Sequence, residues 1–362
     1  MKILHIINNL NTGGAEKLLL ETLPIYNKEG ITVDLLLLNG TKYPFLKELE
    51  KQNCCTVYDI GKGSVYNPLL IFKIIPFLRQ YDIVHGHIFP TFYWLAFAKI
   101  FSQSNTKLVY TEHATTNKRQ ENRLYKIVDN QIYKIYEKII CISDEIKSIL
   151  KKHISLKDES FIVIENGVNL SVIKDAKYLK KKEINKNISE TDQLLIQVSA
   201  FRQQKDQATL IRSMKLLPET IKLLLVGDGE LRESNKELVK SLSLEKRVFF
   251  LGIRMDVASL LKTSDIVVLS SHYEGLSLSS IEAMASGKPF IASDVLGLHE
   301  IVNGAGILFQ EGNEIELAEH IKKLLNDSDY YEKIALNCQV RAENYDIKKM
   351  VDNYIKLYKQ RS

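Results

Sequence analysis

The amino-acid sequence predicts an α/β protein built from two doubly wound domains. Short apolar, strand-like runs alternate with amphipathic helical stretches along most of the 362 residues. These runs are nearly continuous in Val, Ile and Leu, which indicates strands that are buried on both faces in parallel sheets covered by helices. At about 150 residues for a typical domain, the length also favours two domains.

Seven strands are predicted in the first half of the chain, at KILHII, ITVDLLLL, CTVYDI, DIVHGH, KLVYTE, KIICIS and FIVIE. Helices are predicted between them, at Glu16 to Lys28, Pro68 to Gln80, Phe92 to Phe101 and Asn122 to Tyr136. Six further strands are predicted at LLIQVSA, IKLLLVG, RVFFLG, DIVVLS, PFIAS and GILF. The lysine-rich stretch IKDAKYLKKKEINKN lies between the two sets and predicts a linker. We therefore expect a first domain over 1–172, a linker over 173–192 and a second domain over 193–342.

The composition excludes several classes of protein. Hydrophobic residues at 45% and charged residues at 26% are typical of a soluble globular chain. The apolar run at the start, MKILHIINNL, is shorter than that of a secretory signal and is typical of a first strand. We therefore expect a cytoplasmic location. The net charge of +5 is modest, and no aromatic-interleaved basic motif predicts nucleic-acid binding.

No metal site is predicted. The four cysteines have neither C-x-x-C nor metal-ligand spacing, which favours reduced thiols. The D-x-D formed by Asp327 and Asp329 falls between predicted C-terminal helices and not after a strand. His85 and His87 flank Gly86 and His113 follows LVYTE, so three imidazoles could converge, but no carboxylate or cysteine completes a zinc set. A polar contact to a sugar hydroxyl suits His113 better.

Polar and glycine-rich segments follow the predicted strands, where open parallel sheets bind their ligands. In NTGGAEKLL, Gly13 and Gly14 stand where a strand turns into a helix, and the free amides there suit a phosphate, although a plain tight turn would use the same residues. The dinucleotide fingerprint G-x-G-x-x-G is absent, because VGDGELRE supplies only Gly227 and Gly229. A nicotinamide enzyme is therefore disfavoured.

Two cations follow the first strand of the second domain. In FRQQKD, Arg202 can hold a phosphate as a fork and Lys205 adds a point charge beside a helix that begins near Asp206. Surface cations at this spacing are common, but their position after a strand favours a phosphate site.

The segment HYEGLSLSSIEAMASGKP follows another buried strand of the second domain. Glu274 is expected in the turn and Glu282 about two turns into the helix that follows. Two carboxylates at different depths can accept hydrogen bonds from two hydroxyl-rich parts of one ligand, while the amides between them hold an anionic part. Those amides belong to Gly275, Leu276, Ser277 and Leu278. The pattern fits a nucleotide sugar, although two solvated glutamates beside a helix start are the alternative.

Here the sequence resembles glycosyltransferase family four, the retaining enzymes of GT-B fold. EGLSLSSIE followed by AMASGKP is similar to the E-x7-E signature of that family, and the resemblance extends over nearly the whole chain. NTGGAEKLL resembles the glycine-rich first loop, EH at Glu112 and His113 the histidine turn, and CISDEIK and IENGVN the strand ends before the linker. VGDGELRE and FLGIR resemble the loops that face the base.

The resemblance implies a role for each matching position. Glu274 would contact the donor sugar, Glu282 the ribose, and Arg202 with Lys205 the diphosphate, while His113 would lie near the transferred sugar. Amides of the first loop would face the donor phosphates or the acceptor. Base-facing positions would be Gly229, Glu230, Ile253 and Arg254. In the family, an arginine directly follows a glycine or serine in the phosphate loop. Here Ser199 is followed by two other residues before Arg202, so the arginine comes two positions late. On a strand, a shift of two positions would keep the side chain on the same face of the sheet.

The resemblance also implies the fold and the activity. It predicts two Rossmann-like domains facing across a cleft, with the helix of 343–362 packing back on the first, acceptor-side domain. The activity would be hexosyl or N-acetylhexosaminyl transfer, with retention, from a nucleoside-diphosphate sugar to a glycan or lipid-linked acceptor in surface polysaccharide or glycoconjugate synthesis. No cofactor or metal is expected. A GT-B nucleotide-sugar epimerase and a non-catalytic nucleotide-sugar-binding subunit remain alternatives.

Partners and location are left partly open by the sequence. The apolar, lysine-punctuated stretches Pro68 to Gln80 and Phe92 to Phe101 could touch a lipid-linked acceptor at the inner face of the membrane, or could be core helices. Both are shorter than the roughly 20 apolar residues that a spanning helix needs.

Overall fold

The chain forms two compact units. The computed structural model describes residues 1–113 and 123–360. One unit contains Met1–Gly167 together with the segment that begins at Ile347, and the other is Val168–Asp346. The predicted boundary at 172 is therefore five residues late. The predicted linker over 173–192 is also wrong, because this stretch belongs to the second unit and carries helices of its own.

The first unit is a seven-stranded sheet with helices between its strands. Its strands are β1 Lys2–Ile7, β2 Thr32–Leu37, β3 Val57–Asp59, β4 Ile83–His87, β5 Lys107–Glu112, β6 Lys138–Cys141 and β7 Phe161–Val163. Its helices are α1 Gly14–Lys28, α2 Pro44–Gln52, α3 Leu70–Leu78, α4 Thr91–Ser102, α5 Arg123–Tyr133, α6 Asp144–His153 and, at the end of the chain, α16 Ile347–Lys359. The strand order is β3-β2-β1-β4-β5-β6-β7.

The second unit repeats this plan with six strands. They are β8 Gln193–Val198, β9 Ile221–Val226, β10 Val248–Gly252, β11 Ile266–Leu269, β12 Phe290–Ser293 and β13 Ile307–Phe309, in the order β10-β9-β8-β11-β12-β13. The helices are α7 Leu170–Asp175, α8 Lys181–Ile184, α9 Gln207–Ser213, α10 Arg232–Ser241, α11 Val257–Thr263, α12 Leu278–Ala285, α13 His299–Val302, α14 Glu314–Asn326 and α15 Ser328–Ala342.

Every strand pairing in the described parts of both sheets is parallel, which confirms the predicted doubly wound class. All thirteen predicted strands are present, with ends that move by no more than a few residues. Their burial explains the apolar runs. In β1, for example, five of six residues are buried, because helices cover both faces of the sheet.

The strand order reverses once in each sheet, between β1 and β4 in the first unit and between β8 and β11 in the second. At such a reversal the loops that leave two adjacent strands diverge and open a crevice at their carboxyl ends, which is where open α/β sheets bind ligands. The residues that follow β1, β4, β8 and β11 are therefore the ones to inspect for a site.

The C-terminal helix α16 belongs to the first unit and packs against α1. Its Tyr354 and Tyr358 are buried, and the hydroxyl of Tyr358 lies 2.7 Å from Nδ1 of His85 on β4. The helix thus covers the face of the sheet on which His85 lies. Among the described residues, no helix combines the length and the apolar character that crossing a membrane would demand.

Candidate active site

An ion pair lies at the strand-order reversal of the second unit. Nζ of Lys205, in the loop after β8, is 2.5 Å from Oε1 of Glu274, in the turn after β11. The side chains of Lys205 and Glu274 are 16% and 5% exposed, so most of the pair is shielded from water. A cation and a carboxylate are thereby held together at the sheet edge where a ligand would bind.

Neighbouring groups hold the Glu274 turn in place. The hydroxyl of Ser271 donates to Oε1 of Glu274 at 2.6 Å. The side-chain amide of Gln204 donates to the carbonyl oxygen of Tyr273 at 2.8 Å, and the backbone amide of His272 donates to the carbonyl of Gln204 at 2.8 Å. The loop after β8 and the turn after β11 are therefore linked by backbone and side-chain hydrogen bonds as well as by the ion pair.

A close backbone contact supports the same turn from the loop after β12. Gly297 has φ +80, and a Cβ at this position would stand 2.2 Å from the carbonyl oxygen of Glu274. Only glycine permits this approach without displacing backbone. The amide of Glu274 also donates to the carbonyl of Leu296 at 3.1 Å. The position of the Glu274 carboxylate thus depends on a glycine 23 positions further along the chain.

The helix that carries Glu282 starts later than predicted. Helix α12 begins at Leu278 with Ser277 as its N-cap, so Gly275 and Leu276 lie in the loop that precedes it. Glu282 is consequently about one turn into the helix, not two. Its side chain is buried, on the same short helix whose first turn follows the Glu274 loop.

The structure does not support the strand argument for Arg202. Strand β8 ends at Val198, so residues 200–202 form a loop in which Phe201 is buried and Arg202 is exposed. Among the described residues, none forms a hydrogen bond or ion pair with the Arg202 guanidinium. Lys205 is instead fixed, because its carbonyl accepts from the side chain of Gln197 at 3.0 Å. As predicted, a helix follows, with Asp206 as the N-cap of α9.

The loops after β9 and β10 adjoin the loop after β8. Gly229 has φ +156, and a Cβ there would stand 2.5 Å from the carbonyl oxygen of Phe201. The amide of Leu231 donates to that same carbonyl at 3.0 Å, and the amide of Gly227 donates to the carbonyl of Gly252 at 2.8 Å. Glu230 and Ile253 are exposed on these loops. Backbone contacts therefore join the loops that follow β8, β9 and β10.

Arg254 is oriented by a neighbour. Its Nε donates to Oδ1 of Asp256 at 2.8 Å and its Nη2 to Oδ2 at 2.5 Å. These two bonds lower the pKa of Asp256 and raise that of Arg254. A two-point carboxylate contact fixes the plane of the guanidinium and keeps it charged.

In the first unit, the predicted glycine pair lies at a helix start. Helix α1 begins at Gly14 with Gly13 as its N-cap. The carboxylate of Glu16 folds over Gly13, since a Cβ there would stand 2.2 Å from Oε2 of Glu16. An anionic ligand at these amides would have to displace that carboxylate.

The three predicted histidines lie together in the first unit, joined by a fourth. His85 and His87 on β4 and His113 after β5 lie beside His5 on β1, which pairs in register with His85. The ligand atoms of His5, His85 and His87 lie within 4.8 Å of one another, a spacing that could admit a metal ion. Both ring nitrogens of His85 already form 2.7 Å hydrogen bonds, to Tyr358 and Thr111, so the network favours hydrogen bonding over coordination.

Several residues of the site were missed at the sequence level. His5 stands in an unbroken apolar strand, and only its register with β4 brings it to the other histidines. Ser271 and Gln204 are ordinary loop residues until the fold joins their loops. Gly297 carried a signal, because it lies four positions after the end of the predicted strand PFIAS, near a strand end like the other glycines.

Comparison with known proteins places the chain in a family. A family model described as "Glycosyltransferase Family 4" matches residues 12–172, and one described as "Glycosyl transferases group 1" matches residues 180–341. An uncharacterized glycosyltransferase of Methanocaldococcus jannaschii is 28% identical, over 86% of this chain and 89% of its own length. The Escherichia coli UDP-Gal:alpha-D-GlcNAc-diphosphoundecaprenol alpha-1,3-galactosyltransferase is 29% identical, over 77% of this chain and 76% of its own length.

Solved structures agree on the fold. The Anabaena protein HepE, crystallised with UDP-glucose, superposes with a TM-score of 0.85 at 23% identity, over 99% of this chain and all of HepE. The fold is that of the GT-B glycosyltransferases. The chain belongs to the family 4 type of these enzymes and is a glycosyltransferase.

Proposed function

We propose that this enzyme transfers a hexosyl or N-acetylhexosaminyl group, with retention of anomeric configuration, from a nucleoside-diphosphate sugar to a sugar on a lipid-linked acceptor. The product would serve surface polysaccharide or glycoconjugate synthesis. The observation that carries the proposal is the shielded Lys205–Glu274 pair at the strand-order reversal of the second unit. It combines a cation for a diphosphate with a carboxylate that can accept from sugar hydroxyls.

The second unit supplies contacts for each part of such a donor. Lys205 and the exposed Arg202 would bind the diphosphate, Glu274 the sugar, and Glu282 the ribose. The amides between the two glutamates, together with the N-terminus of α12, would add to the anionic site. Arg254, Ile253 and the loop of Gly229 and Glu230 would border the base. UDP-sugars are the first donors to consider, because the E. coli relative uses one and HepE was crystallised with one.

The transfer step needs charge stabilisation at the leaving group. As the bond between the anomeric carbon and the phosphate oxygen breaks, its electron pair stays on the diphosphate and positive character builds on the sugar ring. Lys205 and the helix amides would stabilise the diphosphate. The acceptor hydroxyl would attack the same face of the anomeric carbon, and its proton would pass to the departing phosphate oxygen. These side chains would supply the stabilisation without a metal ion.

The acceptor side of the proposal rests on the first unit. His113 would donate to the transferred sugar, and the amides of Gly13 and Gly14 would face the donor phosphates or the acceptor. Apolar side chains on α3 and α4 are exposed, with Phe72 at 60% and Phe101 at 59%, and their rings stack at 6.1 Å between centroids. Such a patch suits peripheral contact with a membrane that holds a lipid-linked acceptor.

The test is a donor panel followed by a transfer assay. Isothermal calorimetry with UDP- and GDP-sugars, first in EDTA and then in Mg²⁺, should give one preferred donor whose affinity is independent of metal. That donor should then be consumed with polyprenyl-diphosphate-linked sugars, and NMR of the product should show the anomeric configuration of the donor. Glu274→Gln is the matched inactive control. Isomerised donor without transfer would instead indicate an epimerase, and binding without any turnover a non-catalytic subunit.

A further inference from the structure

Three imidazoles in the first unit form a hydrogen-bonded chain, and a fourth lies beside it. Nε2 of His113 lies 3.2 Å from Nδ1 of His87, and Nε2 of His87 lies 2.8 Å from Nδ1 of His5. His85 stands beside this chain but bonds to Thr111 and Tyr358. The chain thus runs from half-buried His113 inward to fully buried His5.

All rings of this chain are neutral at pH 7. Burial lowers the pKa of His5 to about 3 and that of His113 to about 4, and burial with the neighbouring imidazoles holds the pKa of His87 well below its usual value. A neutral imidazole carries one N–H and one bare nitrogen. Each bond in the chain therefore needs one ring to donate and the next to accept, so the tautomers of the three rings are coupled.

The inner end of the chain decides its direction. Nε2 of His5 is buried and has no hydrogen-bond partner among the described residues. If His113 donated inward, every ring would be the Nε2–H tautomer and His5 would bury an orphan N–H, which is the rarer and costlier defect in native proteins. If His5 donates outward from Nδ1, His87 donates from Nδ1 in turn and His113 accepts at Nε2.

We propose that His5 and His87 are positioning residues that hold His113 as its Nδ1–H tautomer, so that His113 presents a hydrogen-bond donor and not a base to the donor sugar. The one hydrogen bond that the His113 ring forms with the described residues is at Nε2, to His87. The assignment of the sugar as ligand rests on the proposed function, whereas the tautomer itself does not.

The direct test is two-bond ¹H–¹⁵N NMR of the full-length protein labelled at histidine nitrogens, with His113 assigned by its loss in His113→Asn. The expected result is a protonated Nδ1 and a bare Nε2 on His113 at pH 7. His87→Phe should then move His113 toward the Nε2–H tautomer, because Nε2 of His113 no longer accepts a hydrogen bond from Nδ1 of His87. His153→Asn is the matched control, since His153 is buried in the same unit but bonds to Asp129 outside the chain.

Kinetics give a second readout. His87→Phe and His5→Phe should lower kcat by about 10- to 100-fold, the range seen when the hydrogen-bond partner behind a metal-ligating imidazole is lost, while KM for the donor changes less than about threefold. His87→Gln, which can still donate to His113, should recover part of kcat, and it serves as the second variant if His87→Phe does not fold. A bare Nδ1 on His113 in the wild type would overturn the proposal. An enzyme with the expected tautomer but no transfer activity would instead refute the proposed function alone.

Discussion

Nζ of Lys205 and Oε1 of Glu274 are 2.5 Å apart, and the Ser271 hydroxyl donates to the same carboxylate oxygen. Each charge compensates the other in a site shielded from water. A substitution of either residue therefore changes the stability of the empty site as well as the contacts to a ligand.

We predict that a double-mutant cycle separates these two effects. Lys205→Met leaves the Glu274 carboxylate without its cation and should lower the free energy of unfolding of the second unit by roughly 1–3 kcal/mol. Lys205→Met with Glu274→Gln should recover most of that loss and remain inactive in transfer. Glu274→Gln alone should reduce turnover far more than nucleotide affinity. Denaturant melts and calorimetry provide the measurements, and a double variant no more stable than Lys205→Met would contradict this account of the pair.

Gly297 offers a test of how the Glu274 turn is held. Gly297→Ala would place a Cβ 2.2 Å from the carbonyl oxygen of Glu274, so the turn must shift, and turnover should fall by about tenfold or more. Gly304→Ala is the matched control, because Gly304 has φ +79 but the nearest atom to a Cβ is the flexible Arg341 Nη2 at 3.8 Å. Both variants bear similar backbone strain. Equal activity losses in the two would show that strain, not the contact, matters.

Arg254 should contribute to nucleotide binding only while Asp256 orients it. Asp256→Ala removes both hydrogen bonds to the guanidinium and should weaken binding of the free nucleoside diphosphate by about 3- to 10-fold, with kcat within about twofold. Glu233→Ala is the control, since it breaks the exposed Glu233–Lys236 pair in the same unit. Nucleotide affinity by calorimetry decides the matter, and an unchanged value for Asp256→Ala would remove Arg254 from the site.

The buried histidines predict an acid-sensitive first unit. In the unfolded chain each titrates near pH 6.5, whereas burial holds the pKa of His5 at about 3 and those of His85 and His87 well below 6.5. As the pH falls below about 6.5 the unfolded state binds protons that the folded state cannot, so stability declines by about 1.4 kcal/mol per pH unit for each such histidine.

His5→Phe should reduce the slope of unfolding free energy against pH by the contribution of about one proton, or about 1.4 kcal/mol per pH unit. Urea melts of both proteins between pH 5 and pH 8 measure it, and the values near pH 8, where histidine is neutral in both states, give the packing effect of the substitution by itself. A slope identical to that of the wild type would mean that His5 does not take up a proton on unfolding.

The apolar patch on α3 and α4 should bind membranes if the acceptor is lipid-linked. Phe72→Ser with Phe101→Ser should reduce sedimentation with vesicles of mixed phosphatidylglycerol and phosphatidylethanolamine by severalfold, because two aromatic rings leave the interface. Leu336→Ser with Val340→Ser is the matched control, since these side chains on α15 are 60% and 58% exposed in the other unit. An equal loss in both double variants would show that general surface hydrophobicity drives the binding.

The strands of both sheets could be predicted because their apolar runs are a direct consequence of burial on two faces. The domain limits could not be predicted, because the lysine-rich sequence of α7 and α8 is also typical of a linker. Only the fold shows that these helices belong to the second unit. The start of α12 was placed too early because glycine and serine before the helix leave its first turn ambiguous in sequence.

The site could be predicted where it depends on neighbours in sequence and not where it depends on distant ones. The positions of Glu274 and Lys205 after strands could be predicted, whereas the ion pair between them, which spans 69 positions, could not. His5 and Gly297 act through register and backbone approach, which no local pattern reveals. Arg202 was assigned a strand geometry that its loop does not have.

The first unit is discontinuous along the chain, since α16 completes it after all 179 residues of the second unit have been made. During synthesis the face of the first sheet that bears His85 therefore remains uncovered while the second unit can already fold, because domains fold as units as they leave the ribosome. In a nascent chain, this face of the sheet stays exposed until Tyr358 has left the ribosome. A stop codon a few residues before α16 would thus release an exposed β-sheet face rather than a slightly shortened enzyme, and quality-control proteases would be its expected fate.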